Sequence, residues 1–343
     1  MTTTGSGRGG ERILLAHGGG GELMRELICR EILPPLGSDA SILPDSAVLH
    51  LPPGRIAFTT DSYVVKPLFF RGGDIGKLAV CGTVNDLAVV GAQPAGLSLS
   101  FILEEGFLLS DFRRVVESVA QTAREAGAPV VTGDVKVVER GGADGLFINT
   151  AGVGVLKEEA ELGAGRVEPG DRILVSGPVG NHGIAVLSAR EGIAFETTVE
   201  SDVACLWELA RSALERAGRD LHWMRDPTRG GLAATLAELA EEAQAEMTVW
   251  EASIPVEPAV RAACELLGLD PLVVANEGKL VLVVAKGVAE EVLGALRSHP
   301  LGTGAQLIGE VKERGRSRVV LETRTGGRRL VEMPYGEQLP RIC

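Results

Sequence analysis

Gly72-Gly73-Asp74-Ile75-Gly76-Lys77-Leu78-Ala79-Val80-Cys81-Gly82-Thr83-Val84-Asn85-Asp86-Leu87-Ala88-Val89-Val90-Gly91 decides how this chain is read. Asp74 is placed to cap a helix that runs through Lys77 to Val90 and is ended by Gly91 and Pro94. Asp86 lies inside the apolar part of that helix, between Cys81 and Val90. A charge there is rarely buried without a partner, so Asp86 points to chemistry rather than packing.

The flanks of this helix are strands. Upstream, Ile56 to Thr60 is a β-type run leading into Asp61, and residues 22–33 carry apolar positions at helical spacing before Pro34-Pro35. Downstream, Leu97 to Leu103 alternates as a strand and residues 111–126 form an amphipathic helix closed by Gly127. Val130-Val131 then leads into Thr132-Gly133-Asp134, and Leu146 to Val155 is a further strand. The stretch 157–170 is polar and weakly periodic, and the domain boundary is placed there.

The second half repeats the mixture. Arg172 to Ser176 and Leu280 to Val284 read as strands. Helices follow Asn181-His182-Gly183 and Arg229-Gly230-Gly231, and 258–267 and 288–297 are shorter helices. Val319-Val320 and Leu330-Val331 suggest late strands. The expectation is an α/β (α+β) chain of two domains, 13–160 and 168–332. A disordered N-terminus (1–12) and a mobile tail (333–343) would flank them. Pro334 and Pro340 stiffen that tail, and Cys343 ends it.

At 343 residues the chain can bury sizeable cores. Aromatic residues are only 4%, so the cores must rest on Val, Leu, Ile and Ala. Forty-five glycines are nearly twice the usual share, which points to tight turns and backbone-lined sites. A net charge of −12 argues against nonspecific nucleic-acid binding. No apolar run is long enough to span a membrane, and no signal segment opens the chain. The five cysteines are scattered without a CxxC pair, which fits a reducing cytoplasm.

Five carboxylates stand at expected strand ends or helix starts: Asp45, Asp61, Asp86, Asp134 and Asp226. Magnesium prefers hard oxygen ligands and usually meets one or two carboxylates plus phosphate oxygens. Taken singly, each aspartate other than Asp86 reads more readily as a turn or cap residue. The glycine run Gly18 to Gly21 follows an apolar run and precedes a helix, so its amides could cradle phosphate. It lacks the Gly-Lys-Ser/Thr ending of a Walker A loop, and flexible linkage explains it equally well. Lys136 and Glu277 could stabilise charge and move a proton near a phosphate, or form surface ion pairs. His182 opens a helix, where it could bond phosphate or simply cap. The other histidines show no metal-ligand spacing.

Longer segments carry a resemblance. They include Thr60-Asp61-Ser62-Tyr63-Val64, the stretch 72–86, Val131 to Val138, Arg225 to Gly231, Ala275 to Leu280, and Pro340-Arg341-Ile342-Cys343. With these the chain resembles the HypE family of [NiFe]-hydrogenase maturation factors. That family lies within the ATP-binding superfamily of aminoimidazole ribonucleotide synthetase and selenophosphate synthetase. The aspartates are common to the superfamily, and the cysteine tail is the specific part.

The resemblance implies a carbamoyl dehydratase. A carbamoyl group would be received on Cys343 from the carbamoyltransferase HypF and dehydrated with ATP to a thiocyanate. The cyanide would then pass to iron on the HypC–HypD complex. It implies N-terminal domains that bind ATP and pair into a β-barrel across a homodimer. Asp61, Asp86 and Asp134 match nucleotide–magnesium positions, with Asp45 and Asp226 grouped with them. Lys77, Asn85, Gly133 and His182 join them as nucleotide-binding candidates. Lys136 and Glu277 match residues of the chemistry, with Glu277 as first candidate for taking an N–H proton. Asn181 stands where the family commonly has aspartate, which removes the charge a magnesium role there would use. The run 18–21 lacks the family's usual serine. Two other readings stay open: a small-molecule synthetase of the same superfamily, and a nucleotide-binding scaffold whose tail is a docking peptide. An extended arm from Met333 to Cys343 would reach on the order of 35 Å.

Overall fold

A computed structural model describes residues 10–38, 46–157, 160–190, 198–336, 339 and 341–343. In its first half, α1 (Glu22–Leu27) continues into a π-helical turn, Ile28–Ile32. Strand β1 (Ile56–Tyr63) follows, then a ribbon of β2 (Phe69–Phe70) and β3 (Gly73–Asp74). The deciding stretch forms α2 (Ile75–Val89), capped as expected: the Asp74 carboxylate accepts from Gly76 N at 2.7 Å and Lys77 N at 3.1 Å. Then come β4 (Ala92–Glu104), α3 (Leu109–Glu125), β5 (Val130–Val138) and β6 (Leu146–Leu156).

These strands form a four-stranded sheet in the order β1-β6-β4-β5. Helices α2 and α3 cover one face, through Leu78 and Val84 on one and Phe112, Val115 and Val119 on the other. Gly76 permits this close packing, because a Cβ there would lie 2.6 Å from Val115 O. The strands are longer than alternation alone suggested. Pro94, read as a helix stop, lies inside β4, where the pairing with β6 slips between Pro94 and Gly96. A bulge tolerates the missing N–H there. Asp61 and Asp134 sit within strands rather than at their ends. On the outer edge strand, Ile56 and Phe58 are exposed, Phe58 at 71%.

The second half comprises β7 (Arg172–Val175), α4 (Asn181–Ser188), α5 (Trp207–Ala217) and β8 (Leu221–Arg225). It continues with α6 (Gly231–Glu242), β9 (Ala245–Trp250), α7 (Pro258–Leu267), β10 (Val281–Val284) and α8 (Ala289–Arg297). β11 (Gln306–Arg314), β12 (Arg318–Glu322) and β13 (Arg328–Val331) complete it. The sheet is seven-stranded, ordered β13-β12-β9-β11-β7-β10-β8, with only β12 and β9 parallel. Helix α5 and strands β8, β9 and β11 lie outside the elements expected from sequence. β8 is nearly all buried, so it shows no alternation to read.

The two halves share one apolar core, which runs from Leu78 and Val84 of α2 to Leu209 and Ala213 of α5. The linker packs on the second half, with Gly163 N donating to His222 O and Val167 fully buried. At the N-terminus, residues 1–9 lie outside the described residues. The expected disorder to residue 12 does not hold for its last part: Arg12 bridges Leu108 and Leu109 N donates to Glu11 O, because backbone pairing ties them down. Among the described residues, no helix is long and apolar enough to cross a membrane.

Candidate active site

Strand β1, helix α2 and the turn after β8 bring Asp61, Asp86 and Asp226 together. Asp61 and Asp86 are in side-chain contact, and the Asp86 charge raises the proton affinity of Asp61. Thr59 Oγ donates to Asp86 Oδ2 at 2.6 Å, from the same strand face as Asp61. Burial first and the Asp86 charge second push the Asp61 carboxyl up to about 6. Burial and the same neighbour push Asp226 up to about 7. A site that holds carboxylates against their own repulsion is one that a cation would relieve.

Glu277 lies beneath this group, 2% exposed, with its Oε1 unpartnered. Burial, then Asp226 and Asp202, hold its carboxyl well above the usual range. Its turn is locked by backbone contacts. Glu277 N donates to Asp202 Oδ1 at 3.1 Å and Glu277 O accepts from Ala204 N at 3.3 Å. Gly278 is required here, because a Cβ would fall 1.7 Å from Asp202 O. Lys279 Nζ, 3.1 Å from Asp202 Oδ2, forms an ion pair that is almost entirely buried. Asn276 joins three turns: its Oδ1 accepts from Gly180 N at 2.7 Å, and its Nδ2 donates to Pro227 O and Val274 O.

Other expected residues fall elsewhere. Asp45 lies outside the described residues. Asn85 is fully buried and committed to structure: Nδ2 donates to Ala204 O and Glu277 O, and Oδ1 accepts from Leu206 N. Its amide therefore serves to tie α2 to the Glu277 turn and to the segment before α5. Lys77 donates to Gly72 O at the start of α2, nine residues or about 13 Å along the helix from Asp86. Asp134 and Lys136 pair with each other at 2.8 Å on β5, the opposite sheet edge from β1. Three strand spacings put about 14 Å between those edges, so Lys136 and Asp134 stand across the sheet from Asp61. Gly133 serves packing on that edge, because a Cβ would lie 2.2 Å from Leu99 O. The Gly18–Gly21 run sits there too, with Gly18 against Val137 and open space around Gly20 and Gly21.

His182 is fully buried, and both ring nitrogens are engaged, Nδ1 with Ser201 Oγ at 2.8 Å and Nε2 with Ile342 O at 3.0 Å. It has no free nitrogen for phosphate, so the expected contact is replaced by one to the tail. The described end of the tail is seated. Val64 N donates to Cys343 O and Lys66 N to Arg341 O, while Ile342 is 3% exposed. Cys343 thus lies alongside β1 just beyond Asp61 and Tyr63.

The AIR synthase related protein N-terminal domain family matches residues 43–156, and the corresponding C-terminal domain family matches 168–322. Carbamoyl dehydratase HypE of Bradyrhizobium diazoefficiens is 51% identical over 96% of this chain and 95% of that protein. The chain belongs to the HypE family. A crystal structure of the HypE family, hydrogenase maturation protein HypE in complex with ATP, superposes with a TM-score of 0.91 at 48% identity, covering 96% of this chain and 99% of that one. A HypE–HypF complex matches at 0.79 and 47% identity, over 81% and 90%.

Against that background, the residues that sequence reasoning missed are the supports of this HypE-family site: Asp202, Lys279, Asn276, Thr59 and Ser201. Lys279 and Asn276 were visible beside Glu277 in Ala275-Asn276-Glu277-Gly278-Lys279. Asp202 and Ser201 lie in a stretch with no periodicity, so nothing in the sequence marked them.

Proposed function

We propose that this chain dehydrates a carbamoyl group carried on its own Cys343 to a thiocyanate at the expense of ATP, and so supplies cyanide for hydrogenase iron. The observation that carries the reading is the seated tail: Cys343 O accepts from Val64 N, one residue past the end of β1 and three residues from Asp61. An arm whose end is held next to the strand that carries Asp61 is what a self-modifying dehydratase needs.

The residues present fit magnesium and ATP. Asp61 and Asp226 hold protons up to about 6 and about 7, a cost that a bound cation removes. Among the described residues, no three acidic, histidine or cysteine side chains converge to hold an ion alone, so phosphate oxygens would complete the coordination. ATP, when bound, supplies a γ-phosphoryl group that makes the carboxamide oxygen a leaving group. The chain's own part is to orient and to move protons. Asp61, Asp86 and Asp226 fix the charge. Of the two N–H protons lost on the way to the nitrile, Glu277, sealed from water, takes one once a cation has lowered its proton affinity, and the departing phosphate carries the other.

Asp134, Lys136 and the Gly18–Gly21 run lie on the other sheet edge. We take them as the second half of the site, joined to the first across a homodimer through the exposed Ile56 and Phe58 of β1. Domains 13–160 and 168–332, HypF as carbamoyl donor, HypC–HypD as acceptor and a cytoplasmic setting belong to the same proposal.

Mass spectrometry of the C-terminal peptide after incubation with carbamoyl donor, HypF and ATP tests it. Loss of one water from the carbamoylated peptide is expected, and Cys343→Ser is expected to abolish function. A well-folded protein that never forms the dehydrated species rejects the reading.

A further inference from the structure

The start of α4, Asn181-His182-Gly183, is not used by the chemistry above, yet two of its contacts reach the tail. His182 Nε2 lies 3.0 Å from Ile342 O. A carbonyl oxygen can only accept, so Nε2 carries the proton. Nδ1 is then the acceptor, taking the hydroxyl proton of Ser201 at 2.8 Å, and Ser201 Oγ in turn accepts from Val203 N at 3.1 Å. The tautomer is therefore fixed from behind. Burial keeps the ring neutral.

The next residue of the helix makes room. A Cβ on Gly183 would lie 3.1 Å from Leu339 Cδ1, so the tail's leucine packs on the bare backbone of α4. Just past the helix, Arg190 donates to Arg341 O at 3.0 Å and to Lys66 O at 3.0 Å. From the other side, Arg341 Nε donates to Val64 O at 2.9 Å and its guanidinium pairs with Asp144. These bonds hold Arg341 at a φ of 53°, a left-handed conformation that a free arginine rarely adopts. A free arm would not dwell in this shape without a clamp.

We propose that His182 is a positioning residue that reads the penultimate carbonyl of the tail and thereby sets the register in which Cys343 is presented. This rests on the reading that Cys343 is the reacting residue. The site reads a peptide carbonyl one residue before Cys343, with an apolar side chain at 342 and another at 339.

The test reads iodoacetamide modification of Cys343 by mass of the C-terminal peptide, in protein shown to be folded by its melting transition. His182→Ala is expected to speed modification about tenfold, the worth of one hydrogen bond. Ser201→Ala, which leaves the ring but frees its tautomer, is expected to give a smaller rise, and His182→Gln, which keeps a donor, to recover part of the loss. With pre-carbamoylated protein, His182→Ala is expected to lower the dehydration rate without changing the KM for ATP. Unchanged modification in both alanine variants would overturn the proposal. A loss of ATP affinity in His182→Ala would also overturn it and return the residue to a nucleotide role. If wild-type protein never dehydrates but the modification rates still separate, the reaction reading fails and the clamp stands.

Discussion

Asn85 Nδ2 lies 3.3 Å from the backbone oxygen of Glu277, 192 positions away in the chain. One buried amide thus fixes the helix that presents Asp86 to the turn that presents Glu277. The same side chain accepts from Leu206 N at 2.8 Å, so the segment carrying Asp202 is held in the same frame.

Asn85→Ala removes all of these bonds and leaves buried backbone groups unpaired. A stability loss of about 2–4 kcal/mol is expected in urea unfolding. A variant within about 0.5 kcal/mol of wild type would show that the two halves are held by apolar packing alone.

Asp86→Asn keeps the shape and removes the charge that raises both Asp61 and Asp226. The nucleotide-free protein is expected to be at least as stable as wild type. Affinity for Mg-ATP, measured by titration calorimetry, is expected to fall tenfold or more. Unchanged affinity would remove Asp86 from the site.

The raised carboxyls fix a sign for pH dependence. Asp61 and Asp226 titrate near 6 and 7 when folded and near the ordinary aspartate value when unfolded. The folded state therefore binds more protons in that window. This contribution is fully present below about pH 4 and is lost as pH rises through about 7. Binding of Mg-ATP at pH 6 is expected to release protons beyond those of the nucleotide itself. The binding heat would then change with the ionisation enthalpy of the buffer. The difference is expected to vanish near pH 8, and a buffer-independent heat at pH 6 would refute the assignment.

Glu277→Gln replaces a buried carboxyl, held protonated by burial, with an amide of the same shape. Folding stability is expected to hold or rise. Carbamoylated Cys343 is expected to accumulate, as seen in the mass of the C-terminal peptide. Normal dehydration in this variant would assign the proton transfer to another group.

Helix α2 was legible because its cap and its apolar run are local: Asp74 bonds amides two and three residues on, and Gly91 follows where the helix ends. The strands beside it were found but cut short, since Gly133 and Pro94 signal breaks unless the neighbouring strand is known. β8 escaped because a strand buried along its length shows no period. The carboxylates could be nominated one by one, but all except Asp86 also fitted a turn or cap.

The sequence by itself determined the local conformations, the terminal thiol, and the family through its longer motifs. These depend on contacts within a few residues or on matching order along the chain. Only the tertiary structure decided which aspartates share a charge, that Asn85 and His182 are bonded within the protein, and that Lys136 stands a sheet's width from Asp61. Those outcomes depend on burial and on strand order. Both are properties of pairs of residues far apart in sequence, where Coulomb repulsion and desolvation act only once the chain has closed.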